Sequence, residues 1–206
     1  TGMTLFDELS RVWNGGAGRE SAVAALKSER AGMLDAMRRT LDTPKTVGLE
    51  AMFAHADALD SMLRDLFAFA CATGNVRDRL ALVAVGGYGR RELAPFSDVD
   101  ILFLFDAETP EIRDAVALIT SLLWDAGLKV GASARTPAEC VVEARRDFSV
   151  RTNLLESRII CGDGALFDDF CRLYNGLRAE NGGADFVEAK LEERARRYRR
   201  MGQSKY

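Results

Sequence analysis

The sequence predicts an α+β domain in which a small sheet is flanked by helices, and three observations predict it. The first third repeats apolar residues at helical spacing, the middle holds three short apolar runs bounded by glycine and proline, and the remainder returns to a helical texture. A length of 206 residues suffices for one large core or two small ones. The texture divides the chain into an N-terminal helical segment (1–74), a core (75–160) and a C-terminal helical segment (161–206).

In the first segment Ala22, Ala25, Leu26, Met33, Leu34 and Met37 recur at helix spacing, and Leu59, Met62, Leu63, Leu66, Phe67 and Ala70 do so more clearly. Thr43-Pro44 separates these two helices, and Trp13, Met33, Met37, Met52 and Met62 read as core packing. The run LALVAV at 80–85 ends at Gly86-Gly87, as a buried strand entering a tight turn would. A second strand, VDILFLF at 99–105, follows a loop containing Pro95, and the two are expected to pair. A helix over about 110–126 comes next: Pro110 suits its first turn, Gly127 ends it, and Trp124 is expected to pack it on the sheet. Residues 128–134 form the third strand, and the rest reads as helices broken near Gly162-Asp163-Gly164 and Asn181-Gly182-Gly183.

With 48% hydrophobic and 29% charged residues, disorder as the main state is excluded. A net charge of −3 argues against a general nucleic-acid coat, which needs many cationic contacts to phosphate. Cys71, Cys140, Cys161 and Cys171 are scattered with no C-x-x-C pair, so they read as reduced thiols of a cytoplasmic protein rather than zinc ligands. No apolar run approaches the ~20 residues that span a bilayer, and Thr1-Gly2 ahead of Met3 reads as a tag remnant. The single histidine, His55, lies in a helical segment far from any nucleophile motif, which leaves Ser-His-Asp and Cys-His catalysis without support.

The chemistry is concentrated in VGGYGRRELAPFSDVD at 85–100. Gly86 and Gly87, directly after a buried strand, let backbone N–H groups approach a ligand, and a short helix beginning near Tyr88 adds its positive end, as a polyphosphate requires. The dinucleotide fingerprint G-x-G-x-x-G fails, because Glu92 stands in the place of its last glycine. Asp98 and Asp100 are two apart on an extended backbone and therefore face one side. Two repelling carboxylates are sensible around a divalent cation, and Mg²⁺, a hard ion that binds oxygen, is the natural candidate. A glycine turn followed by D-x-D means nucleotide chemistry, in which such carboxylates hold metal on the triphosphate and near the attacking hydroxyl.

The stretch GGYGRRELAPFSDVDIL resembles the nucleotidyltransferase signature of the bacterial uridylyltransferases that act on the PII signalling protein, bifunctional glutamine-sensing regulators of nitrogen assimilation. The resemblance continues in LWDAGLKVG at 123–131, RTNLLESR at 151–158 and CGD at 161–163, and covers roughly 80–167 well. It implies a DNA-polymerase-β-like nucleotidyltransferase fold with a small mixed sheet, and transfer of UMP from UTP to a tyrosine hydroxyl of PII with loss of pyrophosphate. By motif position it implies that Gly86 and Gly87 cradle the triphosphate, Arg90 and Arg91 neutralise it, Ser97 fixes the turn, and Asp98 and Asp100 bind Mg²⁺. One of the two carboxylates would also accept the tyrosine proton. The family's long members add a metal-dependent HD phosphohydrolase domain and two ACT domains, and the resemblance implies an N-terminal fragment. No His-Asp pair occurs in this chain, so HD chemistry is not expected within it.

The sequence departs from this pattern in two places. Many members read V-G-H-S or V-G-H-A on the third strand, where Ala132 stands here, and the third carboxylate this fold usually supplies has no counterpart there, since the strand carries Lys129 and no acid. Asp147 and Glu156 are the substitutes to inspect, against surface or helix-capping roles. Nothing in the motif reads the base, so adenylyl transfer to a protein such as glutamine synthetase is the sister reading. A non-catalytic nucleotide-binding module is the third. Arg194, Arg196, Arg197, Arg199 and Arg200 read as a solvated helix face offset by Glu188, Glu192 and Glu193.

Overall fold

The computed structural model describes residues 3–15, 18–42, 48–76 and 79–180. Thr43-Pro44, the break near Asn181 and the basic run at 194–200 lie outside the described residues. Three helices come first: α1 (Leu5–Asn14), α2 (Gly18–Leu41) and α3 (Gly48–Gly74). Then follow β1 (Leu80–Ala84), α4 (Gly86–Gly89), β2 (Val99–Phe105), α5 (Pro110–Asp125) and β3 (Val130–Arg135). The described chain closes with α6 (Pro137–Arg146), α7 (Phe148–Leu155), β4 (Arg158–Gly162) and α8 (Gly164–Glu180).

The helix starts are written in local chemistry. Thr4 with Asp7, and Thr136 with Glu139, form reciprocal capping boxes on α1 and α6. Thr109 caps α5 through the Ile112 amide, with Pro110 in the first turn where a missing N–H costs nothing.

The four strands form one mixed sheet in the order β3-β2-β1-β4. β1 is antiparallel to both β2 and β4, and β2 runs parallel to β3 across the α5 crossover. All five residues of β1 are buried, because it is the central strand covered on both faces. Leu80, Leu82 and Ala84 join Ile101, Phe103 and the apolar faces of α1, α2, α3 and α5 in one cluster. Ala81, Val83, Leu102 and Leu104 point the other way, to Cys140, Leu154, Phe170 and Tyr174 of α6, α7 and α8. The molecule is thus a sheet between two helical layers. Of the methionines read as core, Met33, Met37 and Met62 are buried, and Trp13 packs edge-on against Phe69 at 5.4 Å.

Two expectations are corrected. The stretch at 158–162 is a strand, not part of a helix: Ile159 and Ile160 face opposite helical layers, and pairing with β1 decides the matter. The sequence boundary at 160/161 falls inside it. Trp124 does not pack its ring into the sheet; it is 58% exposed and ties α5 to β3 by donating from the indole N–H to the Val130 carbonyl at 3.1 Å.

Candidate active site

The site begins where β1 runs out. Gly86 has φ +59, the left-handed region in which a side chain is strained, and a Cβ there would sit 2.8 Å from Asn153 Oδ1 and 3.6 Å from Asp100 Oδ2. Glycine therefore keeps open the space between α7 and the β2 carboxylate. The short helix α4 starts at Gly86. The amides of Gly89, Arg90, Arg91 and Glu92 are spent on the carbonyls of Val85, Gly86, Tyr88 and Gly87.

Asp98 is exposed just ahead of β2, and Asp100 is half-buried on it. Val99 and Ile101, between and beyond them, turn into the core shared with α3 and α5. In the parallel register Asp100 lies opposite Gly131 of β3, and a Cβ on Gly131 would meet Asp100 Oδ1 at 2.5 Å. The carboxylate is thus walled by two glycines, one on each side of its strand. Burial, and next the charge of Asp98, holds the Asp100 carboxyl above the usual carboxylate range. Neither aspartate forms an ion pair among the described residues, while Asp57, Asp60, Glu92, Asp106 and Glu156 all do. Two unneutralised carboxylates offering hard oxygens fit Mg²⁺, which binds by one or two carboxylates and keeps other positions for water and phosphate.

The remaining expected residues divide. Arg90 lies beside Gly87, with Nη2 3.9 Å from where a Gly87 Cβ would be, and it pairs with Glu92 at 2.7 Å and with Glu156. Arg91, at φ +64, instead pairs with Asp57 of α3 and stacks over Phe53 at 5.8 Å. The structure does not bring it to the carboxylates. Ser97 Oγ donates to the Ala94 carbonyl at 2.9 Å inside the loop ahead of Asp98. Asp147 is the N-cap of α7, accepting from the Ser149 and Val150 amides, and Glu156 is engaged by Arg90. Among the described residues no group of three metal-ligating side chains assembles. Ala132 pairs with Ile101, one register step beyond Asp100.

Sequence reasoning missed Asn153, whose side chain stands over Gly86; the signal was its place in the family-like stretch at 151–158. It also missed what holds the turn from inside. Tyr88 is 1% exposed, and its hydroxyl donates to Asp60 Oδ1 at 2.6 Å. Arg158 of β4 donates to both oxygens of Asp60 at 2.6 and 3.1 Å, lies over the Tyr88 ring at 5.6 Å, and reaches the Gly89 carbonyl at 3.4 Å. Burial, then the charge of Asp60, drives the Tyr88 phenol far above its ordinary range, so it stays a neutral donor. The described cysteines are all free, and burial pushes Cys71 up to about 11 and Cys140 and Cys161 to about 12. None is a poised nucleophile.

The sheet but for the last residue of β4, the glycine turn and the carboxylate pair fall within residues 71–161, the span matched by the family model for the nucleotidyltransferase domain. The chain carries a nucleotidyltransferase domain. The α+β architecture with its small mixed sheet is that of the nucleotidyltransferase fold. Similarity extends beyond the domain. Over 212 aligned residues the chain is 36% identical to the bifunctional uridylyltransferase/uridylyl-removing enzyme of Rhodospirillum rubrum, covering 99% of this chain and 22% of that protein. The enzymes of the same name from Erythrobacter litoralis and Caulobacter vibrioides are 39% and 45% identical over 82% and 63% of this chain. These alignments cover 19% and 14% of the two relatives, so the chain spans about a fifth or less of the proteins it matches. No helix among the described residues is long and apolar enough to cross a membrane.

Proposed function

We propose that this domain transfers UMP from UTP to a tyrosine hydroxyl of the PII signalling protein, with release of pyrophosphate, and that Mg²⁺ is required. The observation that carries the reading is the pair Asp98 and Asp100, unneutralised among the described residues, with Asp100 beside the open face of Gly86. The names of the relatives supply the uridylyl group; the choice of PII rests on the family resemblance.

In this reading the first-turn amides of α4 bind the triphosphate, with Gly86 and Gly87 allowing close approach and Arg90 adding positive charge beside Gly87. Arg91 braces the turn against α3 rather than touching phosphate. Ser97 holds the loop that presents Asp98. Mg²⁺ held by Asp98 and Asp100 would offset the negative charge that gathers on the transferring phosphate. One of the two carboxylates also takes the proton of the incoming tyrosine hydroxyl on a carboxylate oxygen.

Incubation with PII, Mg²⁺ and either UTP or ATP, followed by the intact mass of PII, tests this. A UMP adduct is expected, reduced by about a hundredfold or more in rate in Asp98→Asn and Asp100→Asn, whose fold persists. An AMP adduct in its place establishes the adenylyl reading. The lack of a third acid beside Asp98 and Asp100 among the described residues favours one other reading, a binding module, which UTP binding without an adduct would identify.

A further inference from the structure

We propose that the cavity enclosed by α2, α3 and the segment 93–99 binds a small carboxylate with a short apolar body. The cavity measures about 90 Å³, room for more than one water, each of which takes about 30 Å³ in the liquid. Its walls are mainly apolar, with Met33, Leu59, Leu93 and Val99 buried around it. His55 breaks that pattern. It is 8% exposed, lines the cavity, and its Nδ1 has no hydrogen-bond partner. A buried ring nitrogen without a partner is a standing desolvation cost that a ligand oxygen would remove.

Two cations complete the site. Arg30 of α2 and Lys129, just ahead of β3, line the same cavity, and neither is in an ion pair among the described residues. Elsewhere Arg19, Arg64, Arg79, Arg90, Arg91 and Arg113 have found carboxylates. Cationic groups in the lining, a buried nitrogen without a partner and hydrocarbon walls match a carboxylate head on an aliphatic stub. Inorganic phosphate would meet the cations but leave the hydrocarbon walls against a fully polar ion.

The cavity is distinct from the carboxylate pair. Val99 lines it, and on a pleated backbone the flanking Asp98 and Asp100 leave by the opposite face. Leu93, Ser97 and Val99 belong to the segment that carries Asp98, so an occupant packs directly against that segment. Binding here needs no transfer reaction and is read without one.

His55 is the only histidine in the sequence, so tag-free protein labelled with ¹⁵N-histidine carries a single imidazole reporter. Sodium butyrate should move its signal saturably, whereas butyramide, of equal size and no charge, should leave it in place. Arg30→Gln combined with Lys129→Gln should weaken butyrate binding about tenfold or more, with circular dichroism unchanged. If the double variant misfolds, the exposed change Lys129→Gln alone should still weaken it severalfold. The proposal is overturned by the lack of a saturable butyrate shift, by equal saturation with butyramide, by a response to inorganic phosphate but not butyrate, or by variants that bind as wild type.

Discussion

On the inner side of the glycine turn, the buried Asp60 is held by the Tyr88 hydroxyl at 2.6 Å and by the partly buried Arg158 guanidinium at 2.6 and 3.1 Å. On the outer side, Asp98 and Asp100 face each other's charge with no cation supplied among the described residues. One short turn thus separates a neutralised cluster from an unneutralised pair. The inner cluster serves the fold, since a satisfied buried ion pair fixes one arrangement of α3, α4 and β4. The outer pair costs stability and is intelligible if something beyond the described residues supplies positive charge. The difference teaches how to sort aspartates in this molecule: by who pays back their charge.

Breaking the inner cluster should have the largest effect on folding. Asp60→Ala leaves Arg158 partly buried and uncompensated, and should lower the unfolding free energy by about 3–5 kcal/mol in urea titrations. Unchanged stability would mean that the cluster is ornamental. On the outer side, Gly131→Ala drives a methyl to 2.5 Å from Asp100 Oδ1 and must displace the carboxylate. Transfer should fall by about a hundredfold while thermal unfolding shifts little, and full activity would show that Asp100 is not held by that wall.

Smaller changes sharpen the contrast. Tyr88→Phe removes one hydroxyl from a cluster in which Arg158 still holds Asp60, so a loss of about 1 kcal/mol is expected. Asp100→Asn should do the opposite and stabilise the fold at neutral pH. The sign follows from the raised pKa: the folded state disfavours the charged carboxylate, so the penalty is present above the folded pKa and absent at low pH. Melting temperatures of Asp100→Asn and wild type, measured without Mg²⁺, should therefore differ at pH 7 and converge below about pH 4. A variant less stable than wild type at pH 7 would place Asp100 with the structural aspartates.

Much of this was legible in the chain. Local signals located β1, β2, α5 and β3, because strand alternation, a proline in the first helical turn and a terminating Gly127 act within a few residues of one another. The glycine turn and the D-x-D pair were equally plain, since their chemistry depends on spacing along one strand. Strand β4 was not, for five residues between two helices carry little periodicity, and only pairing with β1 makes them extended. The Asp60–Tyr88–Arg158 cluster joins residues 28 and 98 positions apart, a separation no local pattern encodes.

What the sequence by itself determined is a glycine turn after a buried strand, two carboxylates two residues apart on the next strand, and the order of the elements from β1 to β3 around them. Tertiary structure alone decided which neighbours those groups keep. It placed Gly131 across from Asp100, gave Glu156 to Arg90, turned Arg91 toward Asp57, and left Asp98 and Asp100 without a cation among the described residues. The physical reason is one of range. Backbone geometry is set by adjacent residues, whereas burial and charge pairing are set by whichever distant elements the core brings together.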